Sequence, residues 1–401
     1  MLNPRFNELG LSPFQRLDRL LEGIAPGGDP IFMSLGEPHH PYPDFVGEIL
    51  YENRHLYGRY PPLGGTPEFR QAAADWLVRR FGLPSGMIDE ARHIVALSGS
   101  REGLYMMPQL LVPEEKAGQR PALLLPSPFY HAYEGAAVAA RAEPVYLPCT
   151  RDTNFLPDLD GLTESLLERT AVFFLCSPSN PQGTAADAAY LTRLIGLARK
   201  HDFVLLVDEC YADVYDGEPP LGTLEVCASD GDLSNVVVFH SLSKRSSVPG
   251  LRSAFVAGDP DIIDRFRTLR SYGGAVPPLP VLAAAAALWN DDEHAARNRA
   301  LYSEKFDIAE RIFDRQLGFF RPRAGFFLWL DVGDGEAATR RLWSEAGIKV
   351  MPGGYLANDD AGENAGASYI RIALVHDAPT TERALTAVAA TLVEQPVQAS
   401  L

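Results

Sequence analysis

Cysteine is scarce in this chain. Four occur in 401 residues, Cys149, Cys176, Cys210 and Cys227, and no two form a Cys-x-x-Cys pair. Most lie in or beside apolar runs, which suits small buried thiols and argues against a disulfide framework, a structural metal or redox chemistry. Positive charge is also in short supply. Lys and Arg number 36 against 52 Asp and Glu, a formal net charge of −16, with no basic patch to override it. Such a surface repels nucleic-acid phosphates and anionic membranes, so neither is expected as a partner. Long apolar runs are missing too: the Ala-rich stretch 281–289 falls far short of the roughly 20 residues that span a bilayer. The first residues lack the basic-then-apolar pattern of a secretory leader, which makes the cytoplasm the expected location. Internal repeats, heptads and low-complexity tracts do not occur.

The chain does have the composition of a folded protein, 46% hydrophobic and 22% charged. Its length suits two or three domains or one enzyme-sized α/β unit. Ser12-Pro13 reads as a helix cap followed by Phe14, Leu17, Leu20, Leu21 and Ile24 at helical spacing. Thr66-Pro67 repeats the signal before a helix reaching about Phe81, with Phe69, Ala73, Trp76 and Leu77 along one side. Short, unbroken apolar runs then alternate with helical stretches: 93–98, 122–125, 172–176, 203–207, 236–240 and 253–257. Strands that are apolar without alternation are covered on both faces, the pattern of a largely parallel sheet between helices. After Pro278 long helices are expected at 278–290 and 291–316, strands at 325–331 and 368–373, and a closing helix near 380–394. The expected organisation is an N-terminal arm and part of a small domain over 1–45, a large domain over 46–280 and a small C-terminal domain over 281–401.

In an open parallel sheet, ligands sit beyond the carboxyl ends of the strands. Four runs deliver unusual groups there. The run ending at Val207 is followed by Asp208 and, three residues on, Tyr211. The run ending at Cys176 opens into Ser177-Pro178-Ser179-Asn180-Pro181, a turn presenting an amide. The run ending at His240 is followed by Ser241, Ser243, Lys244 and Arg245, with Arg252 beyond them. The run ending at Ser98 opens through Gly99, Ser100 and Arg101 into a helix, a place where backbone N–H groups hold anions. Taken singly, Asn180 is a turn residue, Asp208 a helix cap and Lys244 a solvated amine. Together they describe a pocket for an anionic aromatic aldehyde held covalently.

Asn180-Pro181, Asp208-x-x-Tyr211, Ser241-x-x-Lys244 and Arg252, in this order, resemble the motif series of the class I/II aminotransferases. These are pyridoxal-phosphate enzymes of fold type I, and the resemblance covers nearly the whole chain. It implies an α/β fold with a mainly parallel seven-stranded sheet between helices, a smaller α+β domain, and a homodimer with shared active sites. It also implies roles. Lys244 would hold the cofactor and then move the proton between the substrate α-carbon and the cofactor. Asp208 would pair with the pyridine nitrogen and keep the ring an electron sink. Tyr211 and Asn180 would hold the phenolic oxygen, and Tyr130 would stack on the ring. Gly99, Ser100, Arg101, Ser241, Ser243 and Arg252 would bind the phosphate, with Tyr60 crossing from the partner subunit. Arg371 would grip the substrate α-carboxylate as a bidentate fork, and Gly36 would close over it.

Longer segments, among them Ser34-Leu35-Gly36-Glu37-Pro38, Phe239 to Ser246 and Pro352-Gly353-Gly354-Tyr355, are most similar to the bacterial N-succinyldiaminopimelate aminotransferases. That likeness implies transfer of an amino group between glutamate and a tricarboxylic substrate, with cations beyond Arg371; Arg59, Arg101 and Arg245 are the candidates. Ser179 and Gln182 stand where the pattern has glycine and threonine, and Gly273 to Val276 falls in a substrate-lining stretch. A broader aspartate, alanine or aromatic aminotransferase shares every catalytic residue. A C–S β-lyase uses the same lysine, and a non-catalytic interaction protein would have no need of Lys244, Asp208 and Asn180 together.

Overall fold

The computed structural model describes residues 3–358 and 364–393. Each of the six apolar runs in the first two-thirds of the chain is a strand, and a seventh joins them. They are β1 (Ile94–Leu97), β2 (Ala122–Ser127), β3 (Glu143–Pro148), β4 (Thr170–Cys176), β5 (Val204–Asp208), β6 (Val236–Ser241) and β7 (Ala254–Gly258). The spatial order is β1-β7-β6-β5-β4-β2-β3. The strand not anticipated, β3, lies at the edge, only partly buried over most of its length, and carries Pro144. A proline and a glutamate mask a strand signal, and an edge is where a sheet tolerates them.

All neighbours are parallel except around β7, which runs antiparallel to both β6 and β1. That reversal sets the location of the chemistry. The segment joining β6 to β7 must stay at the carboxyl end of the sheet, so Lys244 and Arg252 share one rim. Because β1 and β6 both oppose β7, the turn after β1 emerges on the same rim.

Both faces of the sheet are covered, which accounts for the unbroken apolar runs. The adjacent residues Phe173 and Phe174 on β4 go to different cores, one on each face. On one side α2 (Pro67–Phe81), capped by Thr66 and ended by Gly82 in the left-handed conformation, meets α5 (Leu279–Asn290). Trp76 and Trp289 join them with ring centroids 4.7 Å apart. The other side is covered by α3 (Ser100–Leu111) and α4 (Ala132–Ala139). At the amino end of the sheet the Lys116 ammonium donates to the carbonyls of Thr170 (2.6 Å), His201 (3.0 Å) and Asp202 (2.6 Å).

The N-terminal helix α1 (Pro13–Leu20) carries a capping box between Ser12 and Gln15. The long helix α6 (Glu293–Phe313) stops three residues short of the expected Gln316, where Asp314 and Arg315 take positive φ. Beyond it β8 (Phe327–Asp331), β9 (Met351–Pro352) and β10 (Tyr369–Ala373) form an antiparallel sheet in the order β9-β10-β8. Helices α7 (Gly335–Ala346), which the sequence did not signal, and α8 (Ala378–Leu392) pack with it. Ile31–Phe32 pairs in parallel with Ile348–Lys349, so the N-terminal segment is stitched to this part of the chain. The four cysteines are buried and unpaired. Among the described residues, no helix is long and apolar enough to cross a membrane.

Candidate active site

A cavity of about 300 Å³ opens at the carboxyl rim of the large sheet. The catalytic, cofactor-binding and α-carboxylate residues named from the sequence all line it except Gly99, which lies just behind, and Tyr60; of the three candidates for further carboxylates only Arg101 does. β4 and β5 align Cys176 with Asp208, and β5 and β6 align Asp208 with Phe239, so three strand ends deliver their next residues to one place.

Asp208 is buried, and burial pushes its carboxyl up. The Cys210 thiol, the Tyr133 hydroxyl and the Cys210 N–H work against that shift. Tyr133 Oη donates to Asp208 Oδ2 at 2.8 Å and the Cys210 N–H to Oδ1 at 3.2 Å. The sequence reading missed Tyr133. Its one signal is position, three residues after Tyr130 at the start of α4, where the same helix face turns inward. The Tyr133 ring stacks on Phe174, centroids 4.4 Å apart and planes 14° off parallel.

Lys244 extends from the short helix after β6, and its Nζ donates to the Gly36 carbonyl at 2.5 Å. Burial pulls its amine down to about 8, and the Arg371 and Arg252 charges push the same way. Its backbone is held as firmly. Asn298 Nδ2 donates to the Lys244 carbonyl at 3.1 Å, and Asn298 Oδ1 lies 2.7 Å from His40 Nδ1. His40 Nε2 in turn lies 2.6 Å from Lys305 Nζ.

Arg371, on β10, is buried, which lowers it to about 10. It donates to Asn180 Oδ1 at 3.0 Å and to the Ser34 carbonyl at 2.6 Å, and its guanidinium lies 4.5 Å from the centre of the Phe327 ring. Its Nε has no partner among the described residues, a buried donor left for a ligand. Gly36 has no room for a side chain: a Cβ there would lie 2.6 Å from Phe327 Cζ.

Gly99 caps α3 at φ +86°, and a Cβ would lie 1.8 Å from Arg252 Nη2. Glycine is thus required for the guanidinium to lie against the helix start, whose first N–H groups have no intrahelical acceptor. Ser241 and Ser243 sit beside it with their hydroxyls 3.0 Å apart. Tyr130 Oη accepts from Arg101 Nε. Tyr211 is buried at the end of β5, and burial pushes its phenol well up.

Some expectations need correction. Arg245 does not reach the cavity. Its side chain is buried against Asp213 (2.7 Å) and Asp292 (2.7 Å) and donates to the Leu288 carbonyl, which makes it a structural ion pair. Residues 273–276 do not line the cavity of their own chain; the Ala275 N–H donates to Glu102 Oε1 at 2.9 Å. Arg59 is exposed and also lies outside it. Tyr60, expected at the phosphate of a partner subunit, is fully exposed and lies outside the cavity of its own chain. Ser179 uses its hydroxyl locally, 3.0 Å from Thr184 Oγ1.

The donor set fits a phosphorylated pyridine aldehyde. A helix start, two serines and an arginine provide for the phosphate, a buried carboxylate for a ring cation, and an amine of lowered basicity for the aldehyde.

Known proteins agree. The model of the family described as aminotransferase class I and II matches residues 33–388. The chain is 32% identical over 378 residues to LL-diaminopimelate aminotransferase of Syntrophobacter fumaroxidans, covering 91% of this chain and 92% of that one. The corresponding protein of Desulforudis audaxviator is 30% identical over 382 residues, with 93% of each covered. Among solved structures, an aminotransferase from Neisseria meningitidis superposes with a TM-score of 0.92 at 38% identity, over 98% of this chain and all of that one. A probable N-succinyldiaminopimelate aminotransferase from Thermus thermophilus gives 0.80 at 27% identity, over 95% of this chain and all of the other. The chain belongs to the class I and II aminotransferases, the pyridoxal-phosphate enzymes of fold type I.

Proposed function

We propose that this aminotransferase moves an amino group between glutamate and N-succinyl-LL-2,6-diaminopimelate. The observation that carries the substrate is Arg101. Its guanidinium lies at the cavity edge, beside the Tyr130 hydroxyl, and pairs with no carboxylate among the described residues. An unneutralised cation at that edge suits a substrate with carboxylates beyond the one Arg371 holds. The named relatives above support a diaminopimelate-type substrate.

Bound pyridoxal phosphate supplies an aldehyde carbon that takes up the amino group and a ring that draws electrons from the substrate α-carbon. The chain's residues do the rest. Arg371 grips the α-carboxylate through its free Nε and so fixes which bond at the α-carbon is presented. Lys244, neutral over much of its population near pH 8, takes the α-proton and returns it at the far end of the transfer. Asp208 would pair with the ring nitrogen, its oxygens held by Tyr133 and Cys210. Asn180 and Tyr211 hold the ring oxygen. Gly99, Ser100, Ser241, Ser243 and Arg252 hold the phosphate.

The chain acts as a homodimer in this reading, with Tyr60 of one subunit reaching the phosphate of the other. Tyr51, Tyr57, Tyr60 and Tyr272 are all exposed, large aromatic side chains of the kind that interfaces cover.

One observation favours a second substrate. Glu37 lines the cavity with no cation partner among the described residues, and it could receive the distal ammonium of unmodified LL-diaminopimelate. Single half-reactions with the two compounds decide between them. Conversion of the succinylated compound with kcat/KM at least tenfold higher supports the proposal, and the reverse order overturns it. Conversion only of short amino acids such as aspartate or alanine overturns both.

A further inference from the structure

Beyond Arg101 the cavity adjoins a second chamber of about 560 Å³. The two share Pro13, Arg101, Phe129, His131 and Leu356 as walls, so they meet at these side chains. The outer walls are residues 8–13, Gln15 and Arg16, with the start of α1, and Tyr355 to Asn358.

The charges facing this space are uneven. Its cations are Arg16 and Arg101, and neither pairs with a carboxylate among the described residues. Its acids are Glu8, which has a cation of its own nearby, and Glu134, which accepts from two neutral donors. Glu134 Oε1 accepts from Tyr146 Oη at 2.6 Å and from Asn358 Nδ2 at 3.1 Å, while Glu8 faces Arg120 at 3.9 Å. His131 is held neutral by burial and by Arg101 beside it. Burial pushes the Tyr355 phenol up to about 12, so it too is uncharged. Among the described residues, two cations without a carboxylate partner, Arg16 and Arg101, therefore face one acid without a cation partner, Glu134, and the balance is positive.

Arg16 is also oriented. Its guanidinium carbon lies 4.0 Å from the centre of the Tyr355 ring. Stacking occupies a face of the guanidinium and leaves the in-plane N–H fork for an anion, the geometry that recognises a carboxylate. The helix carrying it is fixed by its capping box and by buried Leu17 and Leu20.

We propose that this chamber receives the distal, carboxylate-bearing end of a long dicarboxylic amino acid, with Arg16 as its specificity-determining anchor. The proposal rests on the reading of a diaminopimelate-type substrate and narrows it: an α-amino acid with a second carboxylate several carbons away. Arg371 holds one end, Arg101 stands at the junction of the two spaces, and Arg16 holds the other.

The test uses the cofactor-loaded protein, wild type and the variants Arg16→Gln and Arg16→Lys. Calorimetry compares pimelate, a seven-carbon dicarboxylate that cannot react, with heptanoate, which lacks the second carboxylate. Wild type is expected to prefer pimelate by about tenfold or more, Arg16→Gln to lose that preference, and Arg16→Lys to keep part of it. In half-reactions, Arg16→Gln is expected to lower kcat/KM for 2-aminopimelate relative to alanine by about tenfold, mostly through KM. Equal binding of pimelate and heptanoate by wild type overturns the proposal, as does an equal loss on both amino acids. Conversion of diaminopimelate compounds with no effect of Arg16→Gln overturns the chamber and leaves the function standing. An Arg16-dependent preference for 2-aminopimelate without conversion of either diaminopimelate compound upholds the chamber and sinks that function.

Discussion

Replacing Tyr133 by Phe tests how Asp208 is kept charged. The substitution removes one oxygen and leaves the ring stacked on Phe174, so the packing loss is small. It also removes the 2.8 Å donor to a buried carboxylate, and a hydrogen bond to a charged group contributes about 1.5–3 kcal/mol. Burial already raises the Asp208 carboxyl above its unfolded value. Between the unfolded and folded values the native chain holds the extra proton, so this group costs stability as pH rises through that window. Losing a donor to the charged form deepens the cost at neutral pH. The cofactor-free variant should thus lose about 1.5–3 kcal/mol of unfolding free energy at pH 7. In acid, where Asp208 is protonated in the folded and unfolded chain alike, the loss should shrink towards the roughly 1 kcal/mol of a neutral hydrogen bond. Urea titrations of both proteins at the two pH values measure the difference directly. Pyridoxal phosphate affinity should fall about tenfold or more at pH 7, since Asp208 then carries less charge. Equal penalties at both pH values, with unaltered cofactor affinity, would refute the reasoning.

Four other outcomes are expected. The rate at which cofactor-free protein takes up pyridoxal phosphate should rise with pH and level off above about 8, following the depressed Lys244 amine; a midpoint near 10.5 would contradict its burial. By linkage, the unfolded chain holds more protons from about pH 8 to 10.5, so stability should climb with pH there, and Lys244→Met should remove that slope. Gly99→Ala, which forces Arg252 away from a Cβ placed at 1.8 Å, should weaken pyridoxal phosphate binding about tenfold while affecting phosphate-free pyridoxal little; equal losses would place the damage elsewhere. Arg245→Met leaves Asp213 buried with one cation fewer and should cost about 3–5 kcal/mol in denaturant titrations without changing the ranking of substrates by KM.

The rim of the large sheet was legible because its strands announce themselves twice. Each is an unbroken apolar run, and each is followed at once by the polar group it delivers, as with Val207 and Asp208. Edge strand β3 had neither mark, with Pro144 inside it and most of its residues only partly buried. Lys244, Asp208, Asn180 and Arg371 could be named from order and spacing, but their supports could not. Tyr133 lies 75 positions from Asp208 in sequence, and His40 lies 258 from Asn298. Contacts of that kind are products of topology and leave no local pattern. Arg245 shows the converse error. Adjacency to Lys244 suggested a ligand, yet on a short helix the next residue points about 100° away, here into the core against Asp213.

The two ends of the large sheet differ in what they can tolerate. The turns entering β2, β5 and β6 lie at the amino end, where Lys116 gathers three carbonyls, and none of them supplies a group to the cavity. Lengthening such a turn costs only about 0.6 kcal/mol per doubling. The stretch around Gly231, exposed and remote from the rim, is therefore a place to graft a tag, a reporter or a second protein without disturbing the enzyme. A comparable graft between Ser241 and Arg252 would break the reversal that keeps amine and phosphate site on one edge.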